Sequence, residues 1–400
     1  MLFLFKKICK IKTMKLLIIT EYFPKSSDVE IRGGVETRCF YIAKELAKRH
    51  DVTVISALEP ETPRDQTIEK IKIIRCGRPK EYLQTGGVIQ RLSFMKEAYS
   101  IGCRLDIDIV EGTNFITYIP AYYIARKKGI PNIAWYNDVW IGKWTHNIGL
   151  ISGLAGEVLE RFALSRDWSY IIANTKFTLN NLIKQGKQRE RLEIIPCGID
   201  LKKCDNIKVE KEITPSICCV SRLVRYKKID TLIKALCYIK NKIPDIRCRI
   251  IGTGPEKRRL KRLAEDLGLK KNINFLGFVK SHRDVLREVK RSHILCLPSI
   301  VEGFGIVVLE AMACSTPYVC SNIPALREVT KNATGGLMFE GGNPKDLSQK
   351  ILCLLEDKGL YNKCVEEGAR LVQRYNWESI AKRTERVYEW AIKQRYRLKS

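Results

Sequence analysis

Histidine is scarce in this sequence, and its cysteines are not arranged as metal ligands. The 400 residues include four histidines and 15 cysteines, with no Cys-x-x-Cys pair and no histidine spaced from a cysteine as in known metal sites. This pattern argues against a bound metal. The cysteines are scattered, and many lie in apolar runs. We therefore expect them to be reduced core residues of a cytoplasmic protein rather than disulfide partners.

Long hydrophobic runs are also missing. No stretch approaches the roughly 18 to 20 apolar residues that a membrane-spanning helix needs, and no cleavable signal sequence is evident. Residues 14–20 predict the first buried strand, which leaves residues 1–13 as either a short extension or a misassigned start. The expected location is the cytoplasm, with the option of peripheral attachment to the cytoplasmic face of a membrane.

Acidic residues are few relative to basic ones. The chain has 44 Asp and Glu against 71 Lys and Arg, a formal net charge of +27. Such a balance favours an anionic partner, which could be a phosphorylated small molecule, an acidic membrane surface or nucleic acid. The alternative is that the Lys-rich helix faces are merely solvated. No nucleic acid is expected, because the chain has no recognition motif and no aromatic-rich basic stripe that could stack bases.

Apolar runs of strand length alternate with amphipathic stretches of helix length, the pattern of doubly wound parallel sheets. A chain of this length, with 45% hydrophobic residues, can build two cores. A polar stretch at 202–215 interrupts the alternation, so we predict two Rossmann-like α/β domains, residues 1–205 and 206–376. Strands are predicted at 15–20, 51–56, 71–75, 107–111, 133–136, 170–173, 192–195, 216–221, 247–251, 273–276, 294–298 and 317–321. Helices are predicted at 35–49, 228–240, 256–267, 283–291, 306–313 and 377–395.

The most informative segment joins a strand to a helix between residues 298 and 313. Glu302 and Glu310 bracket a Gly-Phe-Gly turn, Gly303 to Gly305, which leads into an apolar helix. Such a turn presents backbone N–H groups and a helix N-terminus, which together favour a phosphate. Carboxylates at two depths suit a ligand with hydroxyls on both sides of a phosphate, such as a nucleotide sugar. The alternative is a loop before a core helix with two incidental acids.

With its neighbours, this segment resembles the retaining nucleotide-sugar glycosyltransferases of family 4, which have the GT-B fold. The resemblance starts from the Glu-x7-Glu element, Glu302 to Glu310, and covers almost the whole chain from Met14 onward. Further matching motifs, in the family's order, lie at 33–36, 195–200, 220–223 with Lys227, 250–255, 274–279 and 311–328. The implied fold is a pair of Rossmann-like domains facing each other across a cleft. The family's C-terminal helix, residues 377–400 here, returns to the first domain.

The resemblance also implies site roles. Arg222 and Lys227 form a diphosphate clamp, which makes a metal unnecessary, so no cofactor is expected beyond the donor substrate. Glu310 binds the ribose, and Glu302 meets the donor sugar or acts as a nucleophile; we favour a front-face route in which the leaving phosphate helps deprotonate the acceptor. The donor-binding residues are then Gly33, Gly34, Arg222, Lys227, Gly254, Glu302, Gly303, Phe304, Gly305, Ile306 and Glu310. The catalytic residues are Arg222, Lys227, Glu302 and Asp138.

Asp138 enters this set because of a departure from the family. Many members have a His-Asp pair where this chain has Asn137-Asp138, and asparagine cannot act as a general base. Any role of that histidine is therefore lost or taken over by Asp138. Among the four histidines only His146 is placed in a plausible cleft region. Glu328 either contacts the donor or is a solvated helix residue.

Two apolar segments are candidates for the acceptor side. Residues 139–151 are rich in Trp and Ile, and residues 88–95 carry an apolar stripe beside basic residues. Each suits a sugar or a lipid headgroup layer, or is buried against the core, which we favour for 88–95. The predicted activity is transfer of a sugar to the hydroxyl of a glycan or lipid-linked acceptor. Two alternatives are a nucleotide-sugar epimerase and a nucleic-acid or scaffold protein.

Overall fold

The computed structural model describes residues 13–26, 32–82 and 87–397. Within this part of the chain, the first half forms a sheet of eight strands in the order β3-β4-β2-β1-β5-β6-β7-β8, parallel except for β3. The strands are β1 (Lys15–Ile19), β2 (Asp51–Ala57), β3 (Asp65–Ile68), β4 (Ile71–Cys76), β5 (Ile109–Gly112), β6 (Asn132–Tyr136), β7 (Tyr170–Ala173) and β8 (Leu192–Ile194). The helices are α1 (Gly34–Leu46), α2 (Val88–Arg104), α3 (Phe115–Lys128), α4 (Trp144–Ile148), α5 (Leu150–Ser165), α6 (Lys176–Lys184) and α7 (Leu201–Asp205).

The second half forms a parallel sheet of six strands over the described residues, in the order β11-β10-β9-β12-β13-β14. Its strands are β9 (Ser216–Val220), β10 (Arg247–Ile251), β11 (Ile273–Gly277), β12 (Ile294–Leu297), β13 (Tyr318–Ser321) and β14 (Gly336–Phe339). Its helices are α8 (Ile229–Lys242), α9 (Lys257–Asp266), α10 (His282–Arg291), α11 (Ile306–Ala313), α12 (Pro324–Val329), α13 (Pro344–Glu356), α14 (Lys358–Val372) and α15 (Trp377–Arg397). Two doubly wound domains are therefore present, as the sequence predicts.

The sequence pattern explains which strands were predicted and which were missed. Central strands are buried on both faces, so β6 and β12 have no exposed residue and read as continuous apolar runs. β3 is a short, mostly solvated strand at the antiparallel edge of the first sheet, and its polar residues give no such run. The stretch predicted as a polar linker, 202–215, begins within the short helix α7 and buries Cys204 and Ile207.

The chain crosses between the domains twice, and the two crossings lie side by side. Ile199 pairs with Asn376 in an isolated parallel bridge, and the Ile199 amide donates to the Tyr375 carbonyl at 2.7 Å. Immediately afterwards Trp377 stacks on Tyr41 of α1, with ring centroids 5.2 Å apart. α15 therefore leaves the second domain and packs against the first.

Charged and polar contacts hold α15 against the first domain. The Tyr388 hydroxyl donates to Glu111 Oε2 at 2.6 Å, and the same carboxylate is paired with Arg38. All three side chains are buried, so each depends on the others to satisfy its polar atoms.

No helix among the described residues is both long and apolar enough to cross a bilayer. Residues 1–12, which the extension hypothesis concerns, lie outside the described part.

Candidate functional site

A cleft of about 790 Å³ lies between the two domains, at the carboxyl ends of their parallel strands. Ligands bind at this edge of open parallel sheets, because loops and helix N-termini converge there. Both domains contribute to its lining. The predicted site residues that line the cleft are Gly33, Gly34, Arg222, Lys227, Glu302, Phe304, Gly305, Ile306 and Glu310.

Two helix N-termini meet across the cleft. α1 begins at Gly34 and α11 at Ile306, and a Cβ placed on Gly34 would lie 4.0 Å from Ile306 Cγ2. Gly305 precedes α11 with φ +87°, in the left-handed region that favours glycine, and a Cβ there would also meet Leu326 at 2.4 Å. The first N–H groups of each helix have no acceptor within the helix. The cleft therefore has two sources of N–H groups and positive dipole potential suited to an anion.

Two cations lie on the second-domain wall. Lys227 is paired with Glu302, and both side chains are about nine-tenths buried. Burial lowers the pKa of Lys227, with the nearby Arg222 acting in the same direction, while Glu302 opposes the shift. Arg222 Nη2 donates to the Tyr226 hydroxyl at 2.9 Å. The wall thus holds positive charge beside the start of α11, where a diphosphate would need it.

Glu310 lies deeper, on the second turn of α11, and has a partner that the sequence analysis did not identify. His282, the first residue of α10, places Nε2 2.8 Å from Glu310 Oε1. His282 lines the cleft, whereas His146, the histidine predicted there, is exposed and is not among the lining residues. The prediction for His146 was therefore wrong. His282 directly follows the loop after β11, so the strand-end rule could have identified it.

Three predicted residues lie beside the cleft rather than in its lining. Gly254 belongs to a turn behind Arg222, in which the Leu223 amide donates to the Thr253 carbonyl at 2.9 Å. Gly303 lies directly against Asn137 of the first domain, since a Cβ on Gly303 would meet the Asn137 carbonyl oxygen at 2.4 Å. This contact leaves no room for a side chain at Gly303. Direct donor contacts by these two glycines remain predictions.

Asp138, the third, lies behind Asn137 and is buried. Its Oδ1 accepts from the Val139 amide, and its Oδ2 has no hydrogen-bond partner among the described residues, with Lys143 Nζ 3.5 Å away. Burial raises the pKa of Asp138 to about 6; Lys143 opposes the shift, and Glu302 adds to it. Asp138 is therefore a poorly compensated carboxylate within electrostatic range of the cleft.

The first-domain wall carries a charge network that the sequence analysis missed. Arg32 pairs with Glu59 at 2.7 Å and Glu36 at 2.9 Å, and Glu21 is paired with both Lys80 and Arg91. The Arg32 guanidinium also lies 4.9 Å from the Tyr82 ring centroid. Apart from Arg32 and Glu36, these pairs join residues 27 to 70 positions apart, so no local motif marks them. A wall of carboxylates, guanidinium groups and tyrosine rings suits a hydroxyl-rich ligand.

Glu328 neither lines the cleft nor is a freely solvated residue. Its Oε1 accepts from the Lys176 amide at 2.6 Å and its Oε2 from the Phe177 amide at 3.1 Å. These amides are the first two of α6 in the other domain, so the carboxylate satisfies N–H groups that have no partner within the helix. Glu328 is thus a contact between the domains, a role that neither sequence interpretation included.

Two family models together match most of the chain. The model described as Glycosyltransferase Family 4 matches residues 32–203, and that described as Glycosyl transferases group 1 matches residues 202–371. An uncharacterized glycosyltransferase of Methanocaldococcus jannaschii is 26% identical over 399 residues, which covers 95% of this chain and 99% of that protein. The boundary between the matches falls in α7, between the two sheets.

Two further relatives are informative. The GDP-mannose-dependent monoacylated alpha-(1-6)-phosphatidylinositol monomannoside mannosyltransferase of Corynebacterium glutamicum is 30% identical over 234 residues, covering 54% of this chain and 60% of that protein. The structure of Anabaena HepE in complex with UDP-glucose superposes with a TM-score of 0.74 at 18% identity, covering 94% and 99% of the two chains. The chain belongs to the group 1, family 4 glycosyltransferases and has their GT-B fold. Its activity is therefore glycosyl transfer.

Glu328→Ala should weaken the contact between the domains. Loss of a carboxylate from a helix N-terminus costs about 1–2 kcal/mol, roughly a five- to thirtyfold shift toward separated domains. Small-angle X-ray scattering should then show a larger radius of gyration without ligand. Glu356→Ala, an exposed glutamate of the same domain, is the matched control. An unchanged radius in the Glu328 variant would contradict the role of this contact.

Proposed function

We propose that this glycosyltransferase takes its sugar from a nucleotide diphosphate sugar. The observation that carries the proposal is the grouping of Arg222, Lys227, the N-terminus of α11 and two carboxylates on one wall of the cleft. Positive charge is required there because the leaving diphosphate gains negative charge in the transition state. The structure of Anabaena HepE in complex with UDP-glucose supports a donor of this class.

The dimensions of α11 agree with such a donor. Glu310 lies four residues beyond Ile306, which corresponds to about 6 Å along the helix axis. A phosphate held by the N-terminal amides of α11 would therefore have a neighbouring ribose within reach of the Glu310 carboxylate. In our proposal Glu310 accepts hydrogen bonds from the ribose hydroxyls, and Arg222 and Lys227 bind the diphosphate. Neither interaction requires a metal ion or another cofactor.

The proposed transfer retains the configuration of the sugar. Glu302 is the carboxylate nearest the phosphate-binding cations, but its charge is already engaged by Lys227. An ion-paired carboxylate is a weaker nucleophile, which supports a front-face route, with Glu302 as acceptor of hydrogen bonds from the sugar hydroxyls. The departing phosphate would then take the proton of the acceptor hydroxyl, assisted electrostatically by Asp138.

The proposed acceptor is a glycan or a lipid-linked saccharide at a membrane surface. The α5 face formed by Leu150, Ile151, Leu154 and Val158 is exposed, and so are Val88, Ile89 and Leu92 on α2. We expected the stripe at 88–95 to be buried against the core. That prediction was wrong for its first turns, because Val88, Ile89 and Leu92 are exposed. Both helices pack against α3 on one side of the first sheet. Exposed aliphatic side chains on a chain of net charge +27 are complementary to an anionic bilayer, such as the cytoplasmic leaflet.

Arg222→Ala and Glu310→Ala should each abolish transfer while leaving the protein folded. A panel of nucleotide diphosphate sugars, screened by thermal shift in the presence of EDTA, should identify a donor that raises the melting temperature of the wild type only. Product anomers assigned by NMR would then test retention. Arg225→Ala, an arginine 87% exposed on the same loop, is the control and should be active. Wild-type turnover by either site variant would overturn the assignment.

Asp138 should give the reaction a pH dependence centred near its raised pKa of about 6. Only the ionised carboxylate can assist the proton transfer to the phosphate electrostatically, so kcat should fall as the pH drops through about 6. Asp138→Asn should have a lower kcat, and this kcat should no longer fall near pH 6. Glu160, with a pKa raised by burial to about 7, lies behind Trp140, so Glu160→Gln should keep the fall in kcat. If kcat of Asp138→Asn still falls near pH 6, Asp138 is not the group whose protonation lowers the rate.

Membrane binding should depend on the exposed α5 face. The wild type should co-sediment with vesicles containing phosphatidylglycerol at low salt, and far less with pure phosphatidylcholine or at high salt. Ile151→Asp with Leu154→Asp should abolish sedimentation by placing charge in the apolar contact. The matched control is Ile213→Asp, which changes a fully exposed isoleucine in the segment that connects α7 to β9. Equal sedimentation of both variants would exclude this face as the docking surface.

A further inference from the structure

The contact between His282 and Glu310 is unusual among the charged contacts of the cleft, because one of its polar atoms has no partner. His282 is 8% exposed and Glu310 5% exposed. His282 Nε2 is hydrogen-bonded to Glu310 Oε1, whereas His282 Nδ1 is buried and has no hydrogen-bond partner among the described residues. A buried unpartnered nitrogen in a cleft wall costs free energy in the empty protein.

The chemistry of the two side chains fixes the direction of the hydrogen bond. An ionised carboxylate has only acceptors, so the proton between the two residues belongs to His282 Nε2. In the neutral imidazole the other nitrogen, Nδ1, is then an acceptor. The hydrogen bond occupies one lone pair of Glu310 Oε1, and no described residue donates to Oε2. A fixed carboxylate with this free capacity can accept from two neighbouring hydroxyl groups.

His282 and Glu310 come from different helices, α10 and α11, that pack against each other. Behind them lie Tyr41, Asp200 and Trp377, which belong to α1 and to the two crossings between the domains. The carboxylate therefore has a closed environment on one side and the cleft on the other. Without the imidazole donor, the buried carboxylate would lose its one described hydrogen bond and could rotate away from the orientation that faces the cleft.

We propose that His282 is the positioning residue for recognition of the donor ribose. It holds the Glu310 carboxylate in the orientation that accepts from the vicinal 2′- and 3′-hydroxyls. This inference rests on the proposed donor class. His282 lies outside the Glu-x7-Glu element. In this proposal it nevertheless contributes to the discrimination between ribose and deoxyribose.

The test compares ribonucleoside with 2′-deoxyribonucleoside diphosphates. UDP, GDP, ADP and their 2′-deoxy forms are titrated calorimetrically against the wild type, and the tightest pair is then used with His282→Asn and His282→Gln. The glutamine amide reaches the position of Nε2 and can still donate to Glu310, whereas the shorter asparagine amide does not. We expect the ribose preference to fall about three- to tenfold in His282→Asn and to be largely kept in His282→Gln. With the full donor, His282→Asn should raise KM more than it lowers kcat.

A purely structural role for His282 would weaken the ribo and deoxy ligands equally, and that result would overturn the inference. Loss of preference in His282→Gln to the same extent as in His282→Asn would also overturn it, because the donor at the Nε2 position would then be irrelevant. Glu310→Gln separates this inference from the proposed function. If Glu310→Gln keeps the wild-type preference, the ribose assignment itself fails; if it loses the preference while His282→Asn keeps it, only the role of His282 fails.

Discussion

The position of one domain relative to the other depends on two crossings of the chain that are hydrogen-bonded to each other. Ile199 and Asn376 pair as neighbouring strands would, so the outgoing and returning segments act as one short connection. The stacking of Trp377 on Tyr41 continues this connection into α1. Because α1 begins at the glycine pair of the cleft, the same structure that joins the domains also sets the position of a helix N-terminus that faces the cleft.

Both second-domain carboxylates that line the cleft already have a hydrogen-bond donor. Glu302 is paired with Lys227, and Glu310 with His282. Buried charges without partners would be costly, so these contacts stabilise the empty site. They also orient the groups before a ligand arrives, which is what preorganised electrostatic stabilisation requires. In our proposal, the bound donor shares hydrogen bonds with these side chains, which are already oriented. Water molecules then do not have to reorganise around the ligand.

The sequence predicted most strands of both sheets but not several helices, such as α3, α13 and α14. The bounds of β7, β10 and α11 agree to the residue with their predictions. β3 and β14 were missed: β3 is polar and lies at an edge, and β14 is preceded by Thr334-Gly335 and is only half buried. The motif residues of the second-domain wall lie together because they follow β9 and β12, which are neighbouring strands of one sheet.

What the sequence could not supply are contacts between distant segments. His282 and Glu310 are 28 positions apart, and Lys80 and Glu21 are 59 apart, so their pairing exists only after the sheets have formed. The same is true of Glu328, whose short loop after β13 suggested a ligand contact. Its acceptor role at α6 depends on the approach of two domains, which no pattern in one segment encodes.

The contact made by Glu328 also links the packing of the two domains to Asn137 and Asp138, where this chain departs from the family pattern. It holds the start of α6, and two residues further along, Thr178 Oγ1 donates to the Asn137 carbonyl at 3.2 Å. That carbonyl is the group that lies against Gly303, and the Asn137 side chain accepts from Asn174. Movement of α6 relative to the second domain would therefore displace Asn137 and the adjacent Asp138. The first-domain wall around Asn137 and Asp138 therefore depends on the contact between the domains, whereas Arg222, Lys227, Glu302 and Glu310 all belong to the second domain.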